Sequence, residues 1–207
     1  SVAREDHSGS SRNGPSKGQI PCCRSSQFRS AERAVARMSV KERARQMKSF
    51  RQEQGNRCFR KGNYSAALKW YEKSLLFFEY CLPSTEEERQ LVNVERFKCL
   101  LNSAACHLEL KQYQDCVELS TEAMTVSKKV KTAAGNVKAL YRRAKSYRFL
   151  CSFDEAQEDL RQAKELSKKQ GELERVVEEE LKVLHDTIRA SQNNTTFFAK
   201  KMMRQST

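Results

Sequence analysis

In "GELERVVEEELKVLHDTIRA", residues 171–190, the apolar residues Leu173, Val176, Val177, Leu181, Leu184 and Ile188 recur three and four positions apart. That is the spacing of a helix with one apolar face, and the charged residues between them form the opposite, solvated face. Helix-compatible text of this kind begins near residue 31 and is broken by short turn signals such as "KGNY". Seven Gly and three Pro in 207 residues leave little turn chemistry for a sheet, while 31% charged residues with abundant Ala, Leu, Lys, Glu and Arg favour helix. The segment before it, including "HSGSSRNGPSKGQ", is polar and poor in apolar residues, so residues 1–30 are expected to form a disordered basic tail. Residues 191–207 open on the polar "SQNNTT" and are expected to form a C-terminal tail.

The helical zone repeats. Gly55, Ala67, Tyr71 and Ser74 follow one another at intervals of twelve, four and three residues, and Ala104, Cys116, Ser120 and Ala123 do the same, as do Ala144, Ala156, Leu160 and Ala163. Small residues at such spacing let two antiparallel helices touch, which is the 34-residue tetratricopeptide pattern. The expected fold is therefore all-α: three tetratricopeptide repeats, near 48–81, 97–130 and 137–170, forming a helical solenoid within 31–190, closed by a capping helix over 171–190. The extra residues between repeats fall at "EYCLPSTEEERQLVNVERF" and "SKKVKTAAGN", where insertions are tolerated.

Charge and cysteine content narrow the function. The chain carries a net charge of +13, and residues 1–47 hold ten Lys/Arg against four Asp/Glu. That tail permits nonspecific contact with nucleic acid, but no RNA-binding signature accompanies it. No apolar run reaches the roughly 20 residues of a membrane span. The eight cysteines form no Cys-x-x-Cys pair, so no metal is expected; most sit where a small apolar residue packs, while Cys22-Cys23 in the polar tail is a candidate for lipidation or redox chemistry. His7, His107 and His185 have no nucleophile pattern around them, and no cofactor is expected. Ser1 rather than Met opens the chain, which reads as a piece of something longer.

In a stack of this kind the first helix of each repeat lines a groove, and positions i, i+3, i+4 and i+7 of that helix share its face. The polar residues there are Gln52 and Asn56 in the first repeat, Asn102 in the second, and Lys138 and Arg142 in the third. Two cations and several amides on one surface make an anion site, and the ligand that fits is an acidic peptide captured by its free C-terminal carboxylate. Arg143 and Lys145 point elsewhere, since residue 143 lies 100° beyond 142 on the helix.

Several stretches resemble the tetratricopeptide region of the large immunophilins, FK506-binding co-chaperones that carry a peptidyl-prolyl isomerase domain beside three such repeats. They are the lead-in "MSVKERARQMKSFRQEQGN", the groove helices "LNSAAC" and "KALYRRA", the long insertion after the first repeat and the closing "FFAKKMM". The resemblance implies a carboxylate clamp at Asn56, Asn102, Lys138 and Arg142 for the Met-Glu-Glu-Val-Asp tail of heat-shock protein 90 or the related tail of heat-shock protein 70. It implies a cytoplasmic, and also nuclear, co-chaperone. Gln52 departs from it, since the family usually has Lys there. The loss of that charge-assisted bond is expected to cost on the order of 1–2 kcal/mol. The chain itself is expected to be no enzyme, because 1–47 is too short and polar for a β-rich isomerase domain, although the parent protein can carry one. The alternative is a tetratricopeptide scaffold that binds another protein or an internal peptide without reading a free carboxylate.

Overall fold

The computed structural model describes residues 38–130, 133–168 and 171–205. The expected disordered tail with Cys22-Cys23, and the first residues of the expected 31–190 domain, lie outside the described residues.

Among the described residues every regular element is helical. Val40–Ser49, Phe50–Gly55 and Asn56–Arg60 run on as one helix, α1, whose middle segment is π-helical. There follow α2 (Tyr64–Glu79), α3 (Glu86–Glu109), α4 (Tyr113–Val130), α5 (Ala133–Phe149), α6 (Phe153–Ser167) and α7 (Glu172–Gln205). Ser39 and Glu42 form a capping box that starts α1, and the side chains of Asn63 and Thr85 accept the orphan N–H groups that open α2 and α3.

Each repeat turns in the same way. The amide of Asn63 donates to the carbonyl of Cys58 at 3.0 Å, that of Gln112 to His107 at 2.9 Å, and that of Ser152 to Tyr147 at 2.9 Å. This six-to-one bond closes the first helix of every repeat over a left-handed residue. The first turn has Gly62 at φ +75°, but the second and third force Lys111 to +60° and Cys151 to +61°. An aromatic residue, Tyr64, Tyr113 or Phe153, follows two positions later and begins the return helix.

All twelve of these positions, ten small residues together with Tyr71 and Leu160, are buried. Consecutive helices pack along the chain, and α1 packs on α3, α3 on α5 and α5 on α7. The odd-numbered helices thus form one continuous layer, as a solenoid of helix pairs requires. Its third repeat and cap share one core of Val137, Leu140, Ala144, Ala156, Leu160, Ala163, Val177 and Leu184. Leu173, Leu181 and Ile188 complete the apolar stripe of α7, whereas Val176 is exposed because it stands 100° from Val177, off the stripe.

Two boundaries differ from those read in the sequence. The insertion after the first repeat is mostly helix: α3 begins at Glu86, and its added turns bury Val92 against Ala44 and Cys81, beside Val40 and Phe78. An early start of α1 at Val40 supplies the other half of that contact, so the two extensions exist for each other. At the other end, α7 passes through the polar 191–194 stretch to Gln205, because nothing from 172 to 205 is Gly or Pro.

Two stability predictions follow from these contacts. A Cβ on Gly55 would stand 2.7 Å from Cδ1 of buried Tyr71 and closer still to Cε1, so Gly55→Ala is expected to destabilise by about 2 kcal/mol through overpacking. An unchanged urea midpoint would refute the helix contact. Conversely, Lys111→Gly and Cys151→Gly relieve left-handed strain and are each expected to raise Tm, by about 1 kcal/mol of stability; a fall in both would show those turns to be unstrained.

Candidate functional site

Asn56 follows Gly55 directly, so the close approach of α1 to Tyr71 also places its amide. The Tyr71 hydroxyl donates to Asn56 Oδ1 at 2.9 Å, and Asn102 Nδ2 donates to the same oxygen at 2.9 Å. With its oxygen doubly engaged, Asn56 keeps two N–H donors on Nδ2 for another partner. Burial pushes the Tyr71 phenol well above its ordinary range, so it remains a neutral donor.

These groups border a cavity of about 280 Å³ lined by Asn56, Phe59, Arg60, Tyr71, Asn102, Ala105 and Arg142. Helices α1, α2, α3 and α5 each contribute, so the cavity exists only when the first repeat is stacked on the other two. Among the described residues its lining includes Arg60 and Arg142 and no Asp or Glu.

Arg142 is the most unusual member. Its Nη1 donates to the Leu101 carbonyl at 2.7 Å, while its own carbonyl accepts from Ser146 Oγ at 3.0 Å. Burial pulls its pKa below the usual arginine range, and burial also pushes the nearby Cys116 and Cys106 thiols and the Tyr71 phenol up, toward their neutral forms. Three other arginines of the stack are treated differently. Arg51 meets Glu95 at 2.9 Å, Arg148 meets Glu180 at 2.8 Å, and Arg143 clasps both oxygens of Asp159 at 2.7 Å. Among the described residues no carboxylate pairs with Arg142. A guanidinium in that condition offers a strong site to any anion that reaches it.

Of the five residues singled out in the sequence, Asn56, Asn102 and Arg142 come together around this cavity. Gln52 and Lys138 are exposed, one turn earlier on α1 and α5, and stand outside its lining. Arg143 is turned from the cavity into its pair with Asp159 and a 2.9 Å bond to Thr121. Arg51, flanking Gln52, is consumed by Glu95 inside the stack. Sequence reasoning missed Tyr71 as a partner of Asn56, and missed Arg60 and Phe59 in the lining; Arg60 lies one turn beyond Asn56, at the same i+4 spacing that picked out the others. Among the described residues no group of three or more His, Cys, Asp or Glu is placed to hold a metal.

No family model matches the chain. It is 31% identical over 114 residues to the peptidyl-prolyl cis-trans isomerase FKBP4 of Mus musculus, a match covering 55% of this chain and 24% of that protein. The chain spans between 16% and 24% of the curated relatives it matches first. Among solved structures it is similar to the C-terminal TPR-containing domain of a putative FK506-binding protein of Plasmodium falciparum, with a TM-score of 0.63, 20% identity, and coverage of 77% of this chain and 99% of that one. It is also similar to the Hsp90 co-chaperone Cns1 of Saccharomyces cerevisiae, with a TM-score of 0.58, 20% identity, and coverage of 77% and 45%. The chain is a three-repeat tetratricopeptide region similar to those of the FK506-binding immunophilins.

The contrast between neighbouring arginines generates a prediction. Arg142→Met removes a half-buried charge that has no carboxylate partner and is expected to raise stability by about 1 kcal/mol, whereas Arg143→Met strands Asp159 and is expected to lower it by about 3 kcal/mol. Chemical unfolding of both variants checks this; equal losses would mean that Arg142 is structurally compensated.

Proposed function

We propose that this chain is a co-chaperone interaction module that takes the acidic C-terminal peptide of heat-shock protein 90 or 70. The observation that carries the reading is the Arg142 guanidinium, half-buried in the cavity without a carboxylate beside the amide donors of Asn56 and Asn102. A ligand's terminal carboxylate supplies the missing negative charge and accepts from all three residues. Lys138, exposed one turn before Arg142, meets acidic side chains upstream in the peptide. Gln52 occupies the matching position on α1 and offers a hydrogen bond without charge, so it adds less to affinity. Likeness to a yeast Hsp90 co-chaperone and to FKBP4 supports a chaperone-related interaction.

Calorimetry with Met-Glu-Glu-Val-Asp as free acid and as C-terminal amide tests the reading. The free acid is expected to bind at least tenfold more tightly, since an amide offers no full charge to Arg142. Arg142→Ala and Lys138→Ala should each weaken binding by about 1.5–3 kcal/mol, and Gln52→Lys should strengthen it severalfold, most at low salt. Equal affinity for acid and amide would replace this reading with that of a scaffold for internal peptides or protein surfaces.

A further inference from the structure

Glu95 on α3 is buried, and its one carboxylate holds two cations. Arg51 Nε and Nη2 donate to Oε2 at 3.1 and 2.9 Å, and Lys98 Nζ donates to Oε1 at 3.1 Å. Arg51 and Glu95 are both enclosed, so they neutralise each other inside the stack. One positive charge of the triad is left over, and its exposed member carries it: the Lys98 side chain is 46% exposed. The Lys98 ammonium has three donors and spends one of them on Glu95.

The surplus charge lies where the groove is short of one. Gln52 on α1, Lys98 on α3 and Lys138 on α5 are all exposed. Each stands four residues before Asn56, Asn102 or Arg142 on its own helix, the spacing that puts both residues of a pair on one helix face. The three therefore form a row one turn from the cavity, outside its lining. The α1 member of that row is uncharged. The triad reaches α1 at Arg51, the residue before Gln52, so the nearest cation to the gap is the one that α3 presents.

We propose that Lys98 is a specificity-determining residue of the groove, supplying from α3 the positive charge that α1 lacks at position 52 and pairing with an acidic side chain upstream of the ligand's terminal residue. This rests on the carboxylate-binding reading above and adds to it a residue that the ligand's upstream acids meet. A Lys98 that served only to hold Glu95 would act on stability and leave peptide choice unchanged.

Calorimetry with Met-Glu-Glu-Val-Asp, Met-Gln-Gln-Val-Asp and the C-terminal amide of the first separates these roles. The proteins are the wild type, Lys98→Gln, Lys98→Arg, the double variant Lys98→Gln/Gln52→Lys and, as a control for bulk charge, Lys128→Gln on α4, with Tm recorded for each. Lys98→Gln is expected to weaken the two-Glu peptide by about fourfold, the size of a partly exposed ion pair, and to change the two-Gln peptide by less than about twofold. Lys98→Arg should keep wild-type affinity, and adding Gln52→Lys should restore what Lys98→Gln loses. Lys128→Gln should alter neither peptide. If Lys98→Gln weakens both peptides equally or neither, or if Lys128→Gln has the same effect, the assignment is overturned. The preference for free acid over amide would survive that result, so the two readings fail separately. Loss of that preference in the wild type would overturn both.

Discussion

The contact between Gly55 and Tyr71 sets both the packing and the site. Only a residue without Cβ lets the Tyr71 ring lie against the α1 backbone, and the same approach delivers the phenol hydroxyl to the next residue, Asn56. Tyr71 is thereby a core side chain through its ring and a positioning group through its oxygen. Because Asn102 on α3 donates to the same oxygen of Asn56, the amide that orients the site also ties the first repeat to the second. A fold that held α1 and α2 apart by one methyl group would lose the Tyr71–Asn56 bond along with this packing.

Three ion pairs tie the stack together, and the site has none of their kind. Arg51–Glu95 links α1 to α3, Arg143–Asp159 links α5 to α6, and Arg148–Glu180 links α5 to α7. Each is a pair in which loss of one partner would strand the other, and each fixes which helices are neighbours. Cys99 and Cys106 fill the interior as neutral thiols, their pKa values pushed up by burial to about 11 and about 12. Against that background, Arg142 stands out as a guanidinium held by the Leu101 carbonyl with no carboxylate partner among the described residues.

Much of the architecture was legible because it rests on spacing. Residues at fixed intervals appear in the text whatever their surroundings, and all twelve pattern positions are buried. The capping stripe was legible too, except at Val176, where three-or-four spacing alone does not say which of two adjacent valines faces inward. The paired extensions of α1 and α3 were not, since an insertion between repeats reads equally as loop, and only the contact of Val92 with Ala44 and Cys81 shows why it is helix. At the site, the helix face found Asn56, Asn102 and Arg142, because facing is a local property. It could not show that Asn56 is oriented by Tyr71, that Arg51 is spent on Glu95, or that Arg60 shares the cavity, because each depends on how far apart separate helices stand.

Placing an uncompensated cation in the interior has a thermodynamic consequence for a binding module. The free domain bears the desolvation of Arg142 with one carbonyl and neutral neighbours in return. An anion that binds removes that penalty and adds its own bonds, so the gain on binding includes the relief of a cost already present in the unliganded fold. By linkage, a ligand at a hundred times its Kd stabilises the fold by about 2.7 kcal/mol. That is more than the roughly 1 kcal/mol expected from converting Arg142 to an apolar side chain. On the reading proposed above, the domain is more stable engaged than empty, and the cavity shared by Asn56, Asn102 and Arg142 is where the two states would differ.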